Sequence, residues 1–442
     1  MTGLAHQARA ILDGLTAGDD RPRRVGKLVA YDGLMLEAVG FDCPVGAAAR
    51  IVAADGRAAR AEVVGFRGER ALLMALDADA AHASGARVEP DAGGAMVDVG
   101  AALLGRVIDP LGTPLDGLGP VGTAERWPLA GRPSNPLDRA RVTEPFDVGV
   151  RAVNALLTAG VGQRIALVAG SGVGKSVLMG QMLGGSEAEI NVVGLIGERS
   201  REVSDFLATK LPPMVRAKTV VVAVPADHSP LLRLRAAMRA TAIAEYFRSR
   251  GAKVMLLIDS LTRVAHAQRE IGLSLGEPPT VKGYPPSAFG LIPRLVERAG
   301  ADSRTGGSIT AVYTVLADGD DLDDPIVDSA RAIVDGHIIL SRSLGEQGVY
   351  PAIDIGRSLS RVMADIAPPE QMRAAAMYRR LWSAFEENRD LILMGAYSSG
   401  GDPLIDEAIT RRPHLLGFLK QGPGEKADFA TAQAALIEAF GS

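Results

Sequence analysis

The sequence predicts an α/β fold: a parallel sheet covered by helices on both faces, preceded by a small antiparallel β-barrel and followed by a helical domain. Three observations predict it. Between about residues 144 and 366, six near-continuous apolar runs alternate with helical stretches: IALVA (165–169), INVVGLI (190–196), TVVVAV (219–224), VMLLI (254–258), SITAVYTVL (308–316) and GHIIL (336–340). Strands buried on both faces read this way, because neither side of the pleat meets water. From Arg24 to about Val99, segments such as RVGKLVAYDGLMLEAVG and RAEVVGFRGERALLMAL instead alternate apolar with polar residues between glycine and Asp-Gly turns. Short strands at that spacing argue a small barrel. After Ala367, MRAAAMYRRLWSAFEENRDLILMGAY and PLIDEAITRRPHLLGFLKQ carry helical apolar spacing, broken by SSGGDP, and FATAQAALIEAF follows as another amphipathic helix.

These textures divide the chain into an amphipathic helix (1–20), the barrel (21–100), the α/β domain (101–366) and the helical domain (367–442). The stretch LGRVIDPLGTPLDGLG (104–119) and Pro120, Pro128, Pro133, Pro136 and Pro145 form a linker or crossing segment with its backbone preset in extended conformation. At the start of the chain, Leu4, Ala8, Ile11, Leu12 and Leu15 fall at helical spacing. A stripe that small does not stabilise a lone helix, so it packs on the next domain or docks another protein.

Bulk composition excludes several classes. The chain has 442 residues, 47% of them hydrophobic and 23% charged, which suits a soluble protein with a sizeable core. With 48 basic against 52 acidic residues and no basic stripe with interleaved aromatics, a nucleic-acid partner gains no support. A single cysteine, Cys43, rules out an internal disulfide framework and fits a reducing, cytoplasmic compartment. Six scattered histidines offer no zinc spacing, so a metal is expected to arrive with a nucleotide. The first residues lack a signal-peptide pattern, and no apolar run approaches the ~20 residues of a spanning helix, although docking at a membrane stays open.

Chemistry concentrates in IALVAGSGVGKSVLM, residues 165–179. A buried strand, a glycine-rich turn and the first turn of a helix make a P-loop. Gly170, Ser171, Gly172, Val173 and Gly174 let backbone N–H groups converge on phosphate oxygens, and the helix N-terminus, with Val177 behind it, adds partial positive charge. Lys175 is the residue expected to reach the β- and γ-phosphates of ATP, and the Ser176 hydroxyl is expected on Mg²⁺. Ala169 stands where the motif's first glycine is usual; as the smallest replacement it still allows the loop.

Ligands of such sheets sit beyond the carboxyl ends of the strands, which singles out the residue after each run. VMLLI leads into Asp259, placed for a Walker B aspartate beside Mg²⁺. INVVGLI leads through Gly197 into Glu198 and Arg199. Glu198 either polarises the attacking water or forms an ordinary surface pair with Arg199, which would otherwise neutralise phosphate charge. In YPAIDIGRSLSRVM (350–363), Tyr350 stacks on an adenine or simply packs beside Pro351. Arg361, if on a subunit edge, is a candidate arginine finger for a neighbour's γ-phosphate.

Together these pieces resemble the α/β-type hexameric ATPases, the rotary ATP synthase catalytic subunits and their relatives. PAIDIGRSLS (351–360) fits the family signature P-[SAP]-[LIV]-[DNH]-x-x-x-S-x-S; GERSREV (197–203) is similar to its catalytic-glutamate segment, IDSLTR (258–263) to its Walker B, and SRVM (360–363) to the stretch whose arginine enters the neighbouring site. AGSGVGKSVLMG (169–180), EPFDVGVRAVNALLTAGVGQR (144–164), KGYPPSAFGLIPRLVERAG (282–300) and DLILMGAYSSGGDPLIDEAI (390–409) most resemble the flagellar type III protein-export branch, where Ala169 also fits. The likeness runs over most of the chain and is loosest in the first 100 and last 30 residues. It implies a RecA-like core, a homohexamer with composite sites, Mg·ATP as substrate, and catalytic roles for Lys175, Glu198, Arg199, Asp259 and Arg361. It also implies a stator-like regulator on the N-terminal helix, contacts with an export gate, chaperones and export substrates, and a peripheral place at the inner membrane. A virulence type III secretion ATPase or a rotary synthase subunit is the near alternative. A non-catalytic subunit would be expected to lack Glu198, and a ring helicase to carry a nucleic-acid-binding domain.

Overall fold

The computed structural model describes residues 25–77, 83–91, 93–133, 135–317, 319 and 321–441; the helix expected over residues 1–20 lies outside the described residues. The chain divides after Gly94 into two compact units.

In the first unit, the alternating segments form six antiparallel strands, Gly26–Tyr31, Met35–Val39, Ala48–Val52, Ala58–Arg67, Arg70–Ala75 and Arg87–Asp91. The first strand pairs with both the second and the sixth, closing the barrel. Alternation sends Leu28, Leu36, Ile51, Val63, Leu73 and Val88 inward, where all are buried. Closure leaves none of these six strands at an open edge.

The second unit is built on a nine-stranded sheet. Edge to edge it runs Leu359–Ser360, Gly336–Ile339, Arg164–Ala169, Ser308–Leu316, Lys253–Asp259, Ile190–Glu198, Thr219–Pro225 and Val107–Ile108, with Gly300–Ala301 paired to Ser308–Leu316. The pairs are parallel except those of Leu359–Ser360 and Gly300–Ala301. All six apolar runs are therefore strands of one sheet, in the doubly covered setting their composition predicts. The Pro230–Ser249 helix packs along the Ile190–Glu198, Thr219–Pro225 and Lys253–Asp259 strands.

Leu178, Met179 and Met182 of the Lys175–Gly185 helix join Val193, Leu195 and Leu257 of the sheet in one buried cluster. The C-terminal helices Pro369–Glu387, Pro403–Leu419 and Phe429–Phe440 share that cluster through Tyr378, Leu381, Phe418 and Phe440. Tyr378 meets Phe440 edge-on at 5.1 Å between ring centroids and donates its hydroxyl to Leu415 O. The first C-terminal helical stretch is broken at Asn388, with a short Arg389–Leu393 helix beyond it. The helical region is thus clamped to the face of the sheet that carries the P-loop helix. Among the described residues no helix is long and apolar enough to cross a membrane.

Candidate active site

The site grows from the end of the Arg164–Ala169 strand, held between Ser308–Leu316 and Gly336–Ile339. The chain then turns through Gly172 and Gly174, at φ 77° and 92°, in the left-handed region that side chains resist. At Gly174 a Cβ would also touch the Tyr350 ring at 3.4 Å, an ordinary contact, so it is the positive φ that calls for glycine. The Lys175–Gly185 helix starts directly after it with no side-chain cap. Its first N–H groups are left for an external acceptor, which is what a phosphate supplies.

Lys175 Nζ donates to Asp259 Oδ1 at 2.6 Å and to Glu198 Oε1 at 3.4 Å. All three side chains are at most 15% exposed. Asp259 is the last residue of its strand, and Glu198 the last of the neighbouring one. Glu198 reaches the lysine because the strand bulges at Gly197: the pairing with Thr219–Pro225 slips between Ile196 and Glu198, and Gly197 sits at φ 70° against the Arg263 side chain. A bulge of this kind re-aims the next side chain.

Burial alone lowers the Lys175 ammonium, but the Asp259 and Glu198 carboxylates outweigh it and hold the group above the usual lysine value. Burial pushes the Glu198 carboxyl up, with Lys175 opposing and Glu202 adding to the rise. Asp259 is likewise raised by burial, against the pull of Lys175 and with the Glu198 charge adding. One lysine thus serves two crowded carboxylates. An incoming triphosphate with its cation would draw the lysine away and give the carboxylates a new counter-charge.

Lys175, Ser176, Glu198, Arg199, Glu202 and Asp259 line one cleft of about 470 Å³. Arg199 is at its mouth, with a side chain 85% exposed and 3.8 Å from Glu202, so it does not join the lysine cluster. Ser176 and Asp259 fit Mg²⁺: an exposed hydroxyl in the first helical turn and a buried carboxylate face the same cleft, and Mg²⁺ takes few protein oxygens alongside phosphates and water. Among the described residues no group of three or more His, Cys, Asp or Glu could hold a metal on its own. When bound, Mg²⁺ would neutralise charge building on the phosphates.

A second cleft of about 590 Å³ opens on the other side of the P-loop, between Gly172, Gly174 and Val177 on one side and Tyr350, Gln421 and Pro423 on the other. Tyr350 remains 45% exposed, with its ring beside Gly174. Sequence reasoning missed the 420–425 loop. Gln421 N donates to Tyr350 O, Gln421 Nε2 to Gly149 O, and Gln181 Nε2 of the P-loop helix to Gly422 O. The signal was the QGPG turn (421–424) between two helices. Its distance in sequence from the P-loop hid it.

Arg361 lies elsewhere. It follows the antiparallel edge strand, is exposed, and its N–H donates to Asp335 O while Asp335 N–H donates to Arg164 O. It is therefore level with the amino end of the Arg164–Ala169 strand, whereas Lys175 lies past its carboxyl end. At ~3.3 Å per residue the two are separated by roughly 17 Å or more along the strand direction. Within one chain Arg361 does not reach the phosphate site.

Fold and site together define a P-loop nucleotide-binding protein with the parts for phosphoryl transfer. The profile of the ATP synthase alpha/beta family nucleotide-binding domain matches residues 149–360, and that of the T3SS EscN ATPase C-terminal domain matches residues 367–438. The flagellum-specific ATP synthase of Salmonella typhimurium is 52% identical over 424 residues, covering 94% of this chain and 93% of the relative. The structure of the assembled ATPase EscN of the enteropathogenic E. coli type III secretion system superposes with a TM-score of 0.88 at 40% identity, covering 94% of this chain and 100% of that one. EscN in complex with its central stalk EscO superposes with a TM-score of 0.85 at 39% identity, covering 94% of this chain and 100% of that one. The chain belongs to the ATP synthase alpha/beta family, among the flagellar and type III secretion ATPases, and is an ATPase.

Proposed function

We propose that this chain hydrolyses Mg·ATP at the interfaces of a homohexamer and drives or assists protein export through the flagellar type III secretion apparatus. The observation that carries the reading is the split of the machinery. Lys175, Glu198 and Asp259 converge in one chain, while Arg361 is exposed beside the edge strand, level with the amino end of the P-loop strand and away from that cluster. In this reading Lys175 binds the β- and γ-phosphates, Ser176 and Asp259 hold Mg²⁺, and Glu198 orients and polarises the attacking water. Gly170, Ser171, Gly172, Val173 and Gly174 cradle the phosphates with the helix start at Val177. Tyr350 stacks on the base, Arg199 tempers charge at the cleft mouth, and Arg361 stabilises the transferring phosphoryl group from the next subunit.

Partners follow from the relatives. A stalk-type protein is expected against the ring, as for EscN with EscO, and a stator-like regulator on residues 1–20. Export gate, chaperones and cargo are expected at a cytoplasmic ring placed peripherally on the inner membrane. The flagellar reading is favoured over the virulence one by 52% identity to the Salmonella flagellar protein against 46% to the type 3 secretion system ATPase of Xanthomonas euvesicatoria. The match of residues 367–438 to a type III secretion C-terminal domain speaks against a rotary synthase subunit.

Complementation tests this function. Expressed in a Salmonella strain lacking its flagellum-specific ATP synthase, the chain is expected to restore spreading in soft agar. Its Lys175→Ala variant is expected to restore none and to turn over ATP at least about 10³-fold more slowly in vitro, having lost the ammonium that bonds both carboxylates and is read as the phosphate-binding cation. Full turnover by the Lys175→Ala variant would overturn the assignment of this site.

A further inference from the structure

Thr314 lies near the carboxyl end of the Ser308–Leu316 strand, between the strands that carry the P-loop and Asp259, and is fully buried. Its Oγ1 donates to Asp259 Oδ1 at 2.5 Å, the same oxygen that accepts Lys175 Nζ. A hydroxyl has one proton to give, and this one is given to a buried carboxylate, a charge-assisted bond stronger than a neutral one. Packing alone does not call for it, because valine has nearly the same shape and suits a buried strand. The other polar residues of the strand differ: Thr310 Oγ1 accepts from Gly162 N–H, while Ser308 Oγ and Tyr313 Oη, both buried, have no hydrogen-bond partner. Two residues on, Leu316 N–H donates to Thr262 Oγ1, so the same strand end also grips the start of the Leu261–Ser274 helix that follows Asp259.

On the reading of Lys175 as the phosphate-binding cation, arriving phosphates draw its ammonium away from Asp259. Asp259 Oδ1 then loses one of its two donors at the moment when the carboxylate must present its other oxygen to the cation side of the cleft. We propose that Thr314 is a positioning residue for the reaction: it keeps hold of Asp259 Oδ1 when Lys175 leaves, and so holds Oδ2 toward the Mg²⁺ position. Lys175 is the exchangeable donor of the pair and Thr314 the permanent one. Partners of this kind, outside the ligands themselves, fix ligand orientation and set metal affinity. The inference rests on the reading of Asp259 as the carboxylate beside Mg²⁺.

The experiment measures affinity for a fluorescent ADP analogue with Mg²⁺ and with EDTA, on the full chain and its Thr314→Val, Thr314→Ser and Asp259→Asn variants. Thr314→Val is expected to lose about tenfold of the tightening that Mg²⁺ gives, with affinity in EDTA unchanged within twofold, and to lower kcat more than it raises KM. Thr314→Ser, which keeps the hydroxyl, is expected to behave as the parent. If Thr314→Val does not fold, Thr314→Ala is read in its place, since it removes the same hydroxyl. Tightening by Mg²⁺ within twofold of the parent, or an equal loss with and without Mg²⁺, would overturn the proposal. Should Asp259→Asn also leave the Mg²⁺ effect intact, the reading of Asp259 itself fails; if only Thr314→Val leaves it intact, the positioning role alone fails.

Discussion

Glu198→Gln is expected to bind Mg·ATP at least as tightly as the parent while its turnover falls by about 10²–10⁴-fold. The side chain keeps its size, so the bulge at Gly197 and the contact with Lys175 survive the change. What is lost is a carboxylate that can polarise water. Affinity does not fall, because a negative charge 3.4 Å from Lys175 is removed from the neighbourhood of incoming phosphate oxygens, and Lys175 then answers to Asp259 alone. Single-turnover phosphate release and fluorescent-nucleotide titration separate the two effects. Turnover within tenfold of the parent would mean that another group orients the water, and Glu202, which lines the same cleft, would be the next to examine.

Arg361→Ala is expected to cost more, about 10³–10⁵-fold in kcat, the range found when an arginine finger is withdrawn from phosphoryl transfer. The fold should hardly notice. Arg361 is exposed, and its guanidinium makes one hydrogen bond, to Arg331 O at 3.2 Å. The decisive behaviour appears on mixing. An interface between an Arg361→Ala subunit, whose P-loop is intact, and a Lys175→Ala neighbour, whose arginine is intact, is complete. Random mixing in a ring makes roughly a quarter of interfaces complete, so two inactive variants together should recover activity on that order. Failure to recover, in rings shown to contain both variants, would place Arg361 outside its neighbour's site.

Most of the architecture was legible because parallel strands buried on both faces write themselves as apolar runs, and IALVA, INVVGLI and VMLLI need no partner to be recognised. Their ends then pointed to Lys175, Glu198 and Asp259, since ligands gather beyond the carboxyl ends of such strands. Legibility stopped where a side chain's role depends on contacts across the sheet. Thr314 is hidden inside SITAVYTVL, where a threonine reads as an ordinary strand former. Gln421 and Pro423 belong to a turn whose neighbour, the P-loop, is some 250 residues earlier in the sequence. Even for Glu198 the strand pattern named the residue but not the Gly197 bulge that aims it. For Arg361 the family signature named the residue, while its remoteness from its own P-loop is a property of the fold.

The central claim is that one chain holds an incomplete site and that a neighbour completes it. The most direct measurement is specific ATPase activity against protein concentration, with the assembly state followed by light scattering in the same solutions. The expected result is low activity from the monomer, rising cooperatively and levelling off as rings form, with Arg361→Ala assembling over the same range and remaining nearly inactive. A monomer that turns over ATP at the full specific activity of the ring would contradict the account.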